Sequence, residues 1–231
     1  MNAVLLSGER ISLALRGLFQ SYGYRQYRVS KFEEYDLYVR NRNFLSDDRI
    51  LTFSDINGQI MALKPDVTLS IIKNTRDDDR THKVWYTENV YRVPRGGYGF
   101  REILQTGLEC IGRVDLYTMG EVLMLAARSL ETISQDYVLD VSHMGILTGL
   151  FQARNVPAAL TVPILAAFSA KNRHSLRSLC AQGGLSGETA DLLSSLCLLG
   201  GSAEETLPAL LALPLPEASR AAADELGALY S

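Results

Sequence analysis

Two long segments with the alternation of β-strands, residues 84–92 and 101–112, constrain the fold of this chain more than any other feature. A stretch rich in glycine, residues 94–99, separates them. Glycine tolerates the backbone angles of tight or mobile turns, so the two segments are predicted to pair as an antiparallel hairpin. Two interpretations of the connecting loop stay open: a lid whose Tyr98 closes over a ligand, or an exposed hairpin loop.

The segments before this hairpin alternate between helix and strand. Residues 7–22 carry apolar side chains at helical spacing, which predicts an amphipathic opening helix. Residues 50–64 predict two short strands around Asn57-Gly58, a pair that favours the positive φ angles of a tight turn. A short helix is predicted to begin at Lys64 and to end near Asn74.

The remainder of the chain is predicted to be largely helical. Residues 116–133 have the period of an amphipathic helix, and residues 137–141 predict one further strand. From about residue 155, Ala/Leu-rich segments broken by Gly and Pro predict three or four helices. The predicted fold is therefore α+β, with a core at 1–154 and a small helical subdomain at 155–231.

Composition excludes several classes of function. The 23 basic and 26 acidic residues give a net charge of −3, and no Lys/Arg block is present to follow a nucleic-acid backbone, so no nucleic-acid partner is predicted. The three cysteines lie far apart and are interpreted as buried free thiols; no metal and no cofactor is predicted. No secretion signal and no apolar run of about 18 residues occurs, which predicts a cytoplasmic protein without membrane contact.

No catalytic residue is predicted, because each histidine is isolated in sequence from serine and aspartate partners. Polar residues do occupy one face of both long strands, where the strand period places them together. The face is formed by Glu88, Arg92, Arg101, Gln105, Gly107 and Glu109. Carboxylates receive an ammonium group and arginine holds a carboxylate or phosphate, so the face suits a zwitterion, with Gly107 leaving room for it. An exposed sheet face with incidental salt bridges is the alternative interpretation.

Several ordered motifs identify a family. Residues 63–68 have the sequence L-K-P-D-V-T, residues 90–92 have V-Y-R, and residues 105–109 have Q-T-G-L-E. These motifs resemble the L-R-P-D/E-x-T, motif 2 arginine and Q-x-G-x-E segments of class II aminoacyl-tRNA synthetases of the histidyl branch. Residues 140–145, D-V-S-H-M-G, resemble a D-x-G-H-x-G segment frequent in the regulatory subunits of ATP phosphoribosyltransferase, which are synthetase-like proteins. The resemblance implies a class II synthetase-like antiparallel sheet flanked by helices.

The resemblance also implies a histidine-like ligand site. The implied residues are Asp66, Thr68, Arg92, Arg101, Gln105 and Glu109. In the synthetases, the matching acidic, threonine and glutamine positions hold the amino group and the side chain of histidine. Arg92 matches the arginine that meets the carboxylate or the α-phosphate, and Arg101 matches a further polar position. A relic face kept for packing is the alternative.

Departures from the family pattern argue against amino-acid activation. Pro94 stands where the synthetases carry the glutamate that contacts adenine, and proline has neither charge nor side-chain acceptor. Lys64 replaces the usual arginine and cannot form the same planar fork, and Ser30 replaces the motif 1 proline. The sequence contains no R-G-L-D-Y-Y-like segment and no motif 3 arginine, so the predicted fold is truncated before motif 3 and lacks cations that adenylate formation requires.

The expected function is therefore regulatory. The first hypothesis is a non-catalytic regulatory subunit of ATP phosphoribosyltransferase in histidine biosynthesis, which binds the short-form catalytic subunit as a homodimer within a hetero-oligomer. L-histidine is the expected effector, and it acts through different affinities for different assembly states. The second hypothesis is a truncated or divergent histidyl-tRNA synthetase that activates histidine with ATP. The third is a free-standing amino-acid- or nucleotide-binding paralogue.

Overall fold

A computed structural model describes residues 6–41, 50–94 and 98–230 of the chain. The chain forms two compact units, Met1–Leu139 and Asp140–Ser231. We refer to them as the sheet unit and the helical unit, because every strand of the described residues belongs to the first and the second contains only helices.

The sheet unit is built on the predicted hairpin. Strand β5 (Thr81–Arg92) pairs antiparallel with β6 (Arg101–Gly112) along its full length, from Thr81 opposite Gly112 to Arg92 opposite Arg101. The short β1 (Arg25–Gln26) joins the other edge of β5 in parallel. Residues opposite each other in an antiparallel pair project from the same face, so this register decides which polar side chains meet.

Two helices cover one face of this sheet. They are α1 (Ser7–Ser21) and α4 (Leu116–Ile133), and both match the sequence prediction closely. The α4 helix begins where predicted because the Asp115 carboxylate accepts the backbone N–H of Thr118 at 2.8 Å, a standard N-terminal cap. The buried core beneath the two helices consists of Leu15, Phe19, Tyr24, Trp85 and Leu125.

A second, smaller sheet lies in the same unit. Its strands are β2 (Phe32–Glu34), β3 (Thr52–Ser54) and β4 (Ile60–Leu63), in the antiparallel order β2-β4-β3. Helix α2 (Tyr35–Arg40) follows β2, and α3 (Thr68–Asn74) follows β4. The chain therefore passes from β4 through residues 64–67 to α3, the segment that carries the first family motif.

The predicted turn at Asn57-Gly58 is confirmed. Gly58 has a φ angle of +81°, which glycine adopts without a steric penalty. The Asp55 carboxylate accepts the backbone N–H groups of Asn57 and Gln59, both at 2.8 Å. This local bonding stabilises the turn and so sets the register of β3 against β4.

The helical unit contains six helices around one apolar core. They are α5 (Met144–Ala153), α6 (Ala158–Ser169), α7 (Arg173–Gln182), α8 (Gly187–Leu198), α9 (Ala203–Leu211) and α10 (Glu217–Tyr230). Asn172, Ser186 and Ser202 cap α7, α8 and α9 through their side-chain oxygens. The free thiols of Cys180 and Cys197 are buried here as predicted, whereas that of Cys110 in β6 is only partly buried.

A contact between small residues joins α5 to α10. A Cβ atom added to Gly149 would lie 2.7 Å from the backbone N of Ser219, and the Ser219 hydroxyl donates to the Ile146 carbonyl at 2.8 Å. His143 caps α5 by accepting a backbone N–H on Nδ1, so its proton lies on Nε2, which donates to Glu225 at 2.7 Å. This histidine therefore has a structural role in the helical unit.

Three sequence predictions about secondary structure are wrong. Residues 137–141 form no strand, since no strand of the described residues lies beside them to supply a hydrogen-bond ladder. Five helices, not three or four, follow residue 155 in the described chain. Their number was underestimated because α6 and α7 are separated at Lys171, which takes a left-handed φ of 51° with no Gly or Pro to indicate it. Helix α3 begins at Thr68.

The late start of α3 has a physical cause. The backbone N–H of Lys64 donates to the Lys31 carbonyl at 3.1 Å, and its own carbonyl accepts from Tyr91 at 3.0 Å. A residue before proline is also disfavoured in the helical region. The backbone groups of Lys64 are consequently bonded to neighbouring segments, and Lys64 does not start the helix.

The two units meet in sequence between Leu139 and Asp140, earlier than the predicted boundary between residues 154 and 155. The physical reason is the close contact of α5 with α10. The sequence assigned α5 to the core because the change to Ala/Leu-rich segments comes only after it.

Candidate functional site

The predicted ligand face contains a connected set of polar side chains from β5, β6 and the start of α3. Arg92 lies at its centre: Nε donates to the Pro65 carbonyl, and Nη2 donates to Gln105 Oε1 at 3.1 Å and to Asp66 Oδ2 at 3.4 Å. Asp66 also accepts the backbone N–H of Leu69 at 3.1 Å, which holds its carboxylate at the start of α3. The Arg92 side chain remains 44% exposed, so a ligand can reach it.

Tyr86 closes the floor of this face. Its hydroxyl accepts a hydrogen bond from Gln105 Nε2 at 3.1 Å, and a Cβ atom on Gly107 would lie 2.6 Å from the same hydroxyl. The space above Gly107, expected to be open for a ligand, is thus filled by Tyr86. Burial, followed by the charges of Glu109 and Asp66, raises the pKa of Tyr86 from its ordinary value of 10 to about 12.

Glu109 lies beside this tyrosine and is held by Thr68, whose hydroxyl donates to Glu109 Oε1. Burial raises the pKa of Glu109, the Thr68 hydrogen bond opposes that change, and the negative charge of Asp66 adds to it. The carboxyl therefore lies in an environment that disfavours its ionised form and would favour a cationic ligand group.

The raised pKa of Glu109 predicts a pH dependence of stability. The native carboxyl binds its proton more tightly than the unfolded one, so its contribution is fully present below the ordinary value of 4.5 and is lost as the pH rises through the native pKa. Urea unfolding of the wild type and of Glu109→Gln is measured from about pH 4 to about pH 7, the range in which a carboxyl of raised pKa titrates. As the pH rises, the wild type should lose stability relative to the variant. Parallel stability profiles for the two proteins would contradict the raised pKa of Glu109. The control is Glu102→Gln, which replaces an exposed carboxylate on the same strand.

A buried ion pair lies beside this face. It was not predicted from the sequence. The Lys64 side chain is 0% exposed, and its Nζ lies 2.7 Å from Glu88 Oε2 and 3.4 Å from the Val29 carbonyl. The sequence identified Lys64 only as a departure from the family arginine and placed Glu88 on the ligand face. The available signal was the pairing of a cation in the β4–α3 segment with the unmatched carboxylate on that face.

Two predicted features are not part of the connected set. Arg101 is exposed and bonds to none of the other predicted site residues; it stands opposite Arg92 in the register, where two like charges repel. Tyr98 is fully exposed, and residues 95–97 of the predicted lid lie outside the described residues. The lid therefore stays a prediction.

The charges of the site favour a ligand with a positive group. Arg92 pairs with Asp66 and Lys64 pairs with Glu88, whereas no cationic side chain of the described residues pairs with Glu109. In the described parts of the chain, no three His, Cys, Asp or Glu side chains are grouped to hold a metal ion. No helix in those parts is both long and apolar enough to cross a bilayer. The arrangement can bind a zwitterion through Arg92 and the two carboxylates.

Comparison with known proteins places the chain in a family. The family model described as histidyl-tRNA synthetase matches residues 6–231, nearly the whole chain. The chain belongs to the histidyl-tRNA synthetase family. Histidine–tRNA ligase of Methanocaldococcus jannaschii is 30% identical over 147 residues, covering 62% of this chain and 35% of the ligase. The ATP phosphoribosyltransferase regulatory subunit of Bacillus cereus is 27% identical over 140 residues, covering 59% of this chain and 33% of that subunit.

Solved structures of this family confirm the predicted class II synthetase-like fold. An ATP phosphoribosyltransferase regulatory subunit/histidyl-tRNA synthetase from Bacillus halodurans matches 100% of this chain and 62% of its own, with a TM-score of 0.77 and 21% identity. An ATP phosphoribosyl transferase complex from Thermotoga maritima matches 95% of this chain and 75% of its own, with a TM-score of 0.65 and 19% identity. This chain spans about a third of the length of the Methanocaldococcus jannaschii ligase and of the Bacillus cereus regulatory subunit.

Proposed function

We propose that this member of the histidyl-tRNA synthetase family is a non-catalytic regulatory subunit of ATP phosphoribosyltransferase. The observation that carries the proposal is the bonding of Arg92, which is directed to Pro65, Asp66 and Gln105 inside the protein. Amino-acid activation requires cations positioned on the phosphates of ATP. Here the motif 2 arginine bonds to residues of the proposed amino-acid site, and Pro94 stands where a synthetase has the carboxylate that contacts adenine. The chain would therefore bind an amino acid without activating it.

The proposed effector is L-histidine, bound by Asp66, Thr68, Arg92, Gln105 and Glu109. Its ammonium group would pair with the carboxylates and its carboxylate with the guanidinium, so that each charge finds an opposite partner. Arg101 remains a proposed contact at the rim, because its exposed side chain is long enough to turn toward a bound ligand. The proposed protein partner is the short-form catalytic subunit, bound by a homodimer of this chain within a hetero-oligomer.

The test is phosphoribosyl transfer by the short-form catalytic subunit of the same organism, measured with and without this chain and with and without histidine. Turnover stimulated by the chain and suppressed by histidine is expected. Glu109→Gln should raise the histidine concentration for half-suppression by about tenfold or more, because a charge-assisted contact to the ligand is lost. Glu102→Gln, on the same strand, should leave that concentration within about twofold of the wild type. An unchanged rate on adding the chain would reject the regulatory function.

A second candidate is histidine activation, which the 30% identity to a histidine–tRNA ligase favours. An activating enzyme would catalyse histidine-dependent exchange of pyrophosphate into ATP. We expect no exchange above background with the chain alone. Exchange that depends on histidine and is abolished by Arg92→Gln would replace the regulatory proposal with the synthetase one.

A further inference from the structure

Gln105 is held at both ends of its carboxamide, and the chemistry of its neighbours decides its orientation. The Arg92 guanidinium has only donors, so the group that faces it at 3.1 Å must be the carboxamide oxygen. The NH₂ group then points the other way and donates to the Tyr86 hydroxyl at 3.1 Å. A carboxamide turned over would place its NH₂ group against the guanidinium, so Arg92 fixes the orientation of the group while Tyr86 holds its other end.

Tyr86 is suited to this contact because it is immobile and neutral. Its side chain is 3% exposed and packs with Val67, Ile71 and Val90 in a small core. The ring lies against Gly107, where any larger residue would displace it. Its phenol is protonated at neutral pH, and burial raises its pKa further, so the hydroxyl is a neutral acceptor.

The Tyr86 hydroxyl also neighbours the carboxylate end of the site. Besides burial, the charge of Glu109 raises the pKa of Tyr86, and a side-chain hydrogen bond with Thr68 lowers it, so both side chains lie near the phenol. Thr68 in turn donates to Glu109 Oε1. Tyr86 therefore lies between Gln105, which bonds to Arg92, and the Thr68–Glu109 pair.

We infer that Tyr86 is a positioning residue: it holds the Gln105 carboxamide with its oxygen on Arg92 and so links the two ends of the ligand site. This inference rests on the proposed histidine site. A ligand that binds the Glu109 end meets a carboxamide already oriented at the Arg92 end, so no binding energy is used to order it. Tyr86 was not among the predicted site residues, because an aromatic ring in a strand usually packs in the core. The strand period nevertheless places it on the same face as Glu88.

The experiment compares Tyr86→Phe, Gln105→Met and the double variant by calorimetric titration with L-histidine. Loss of one buried hydrogen bond predicts weaker binding by about five- to tenfold for Tyr86→Phe in the wild-type background. In the Gln105→Met background the same change should alter the Kd by less than about twofold, since its partner is gone. Equal effects in both backgrounds, or no effect in the first, would overturn the inference.

Tyr91→Phe is the matched control, because Tyr91 lies on the same strand and its hydroxyl donates to Glu102 instead. It should leave the Kd within about twofold of the wild type. A wild-type chain that binds no histidine would refute the proposed site, and the carboxamide spectrum would still decide the inference.

That spectrum is recorded on ¹⁵N-glutamine-labelled protein without ligand, with the Gln105 NH₂ signals identified by their loss in Gln105→Met. Positioning by Tyr86 predicts that these signals move to the range of a solvent-exposed carboxamide in Tyr86→Phe and stay unchanged in Tyr91→Phe. Unchanged signals in Tyr86→Phe would refute the inference independently of any ligand.

Discussion

Lys64→Met is expected to lower the free energy of unfolding of the sheet unit by about 3 kcal/mol, because it leaves the Glu88 carboxylate without its partner. The Lys64 side chain is 0% exposed and the Glu88 side chain is 20% exposed, so water can replace the ammonium group only in part. Methionine keeps most of the volume of the lysine side chain, so the measured loss reflects the missing charge and not a cavity. Urea unfolding followed by the fluorescence of Trp85, the only tryptophan of the chain, measures the change.

An exposed ion pair of the sheet unit supplies the control. Arg40 lies 3.7 Å from Asp36 and the two side chains are 78% and 71% exposed, so Arg40→Met should cost less than about 1 kcal/mol. The double variant Lys64→Met/Glu88→Leu should recover most of the stability lost in the single variant, since it removes the unpaired charge. Equal costs for Lys64→Met and Arg40→Met would show that the Lys64–Glu88 pair does not support the site.

Gly149→Ala is expected to lower the free energy of unfolding of the helical unit by about 3 kcal/mol. In an open helix position the same change stabilises by about 1 kcal/mol, because alanine has the higher helix propensity. Here the added Cβ would lie 2.7 Å from Ser219 N and 2.9 Å from the Ala218 carbonyl carbon. Both are backbone atoms of α10, so the clash is relieved only if a helix moves. Loss of helical circular dichroism in urea measures the effect.

Gly187→Ala is the matched control in the same unit. Gly187 begins α8, and an added Cβ would meet nothing within 4 Å. Its expected effect is zero to about 1 kcal/mol of stabilisation. If Gly149→Ala also stabilised the protein, close contact between α5 and α10 would not be what holds α5 in the helical unit.

The sequence predicted the parts of the fold that local chemistry controls. The alternation of β5 and β6, the Asn57-Gly58 turn and the helical period of α4 each depend on a few neighbouring residues. The strand period also placed Arg92, Gln105 and Glu109 on one face, and the family motifs added Asp66 and Thr68, all of which the structure brings into one connected set.

Contacts between distant segments decided the rest. The burial of Lys64 depends on Glu88, and the filling of the space above Gly107 depends on Tyr86, a residue whose ring looks like ordinary core in the sequence. Residues 137–141 have strand-like composition but no neighbouring strand among the described residues, and a strand requires a partner.

The sequence by itself thus determined the main elements of the sheet unit, the face that carries the polar residues and the family. Only the tertiary structure decided which charges are neutralised, where α5 belongs and which site residues touch. The physical reason is that periodicity and turn propensity act within a few residues. The bonding of Arg92, and the lack of a bond from Arg101 to the other predicted site residues, depend instead on the register of paired strands and on α3 lying beside them.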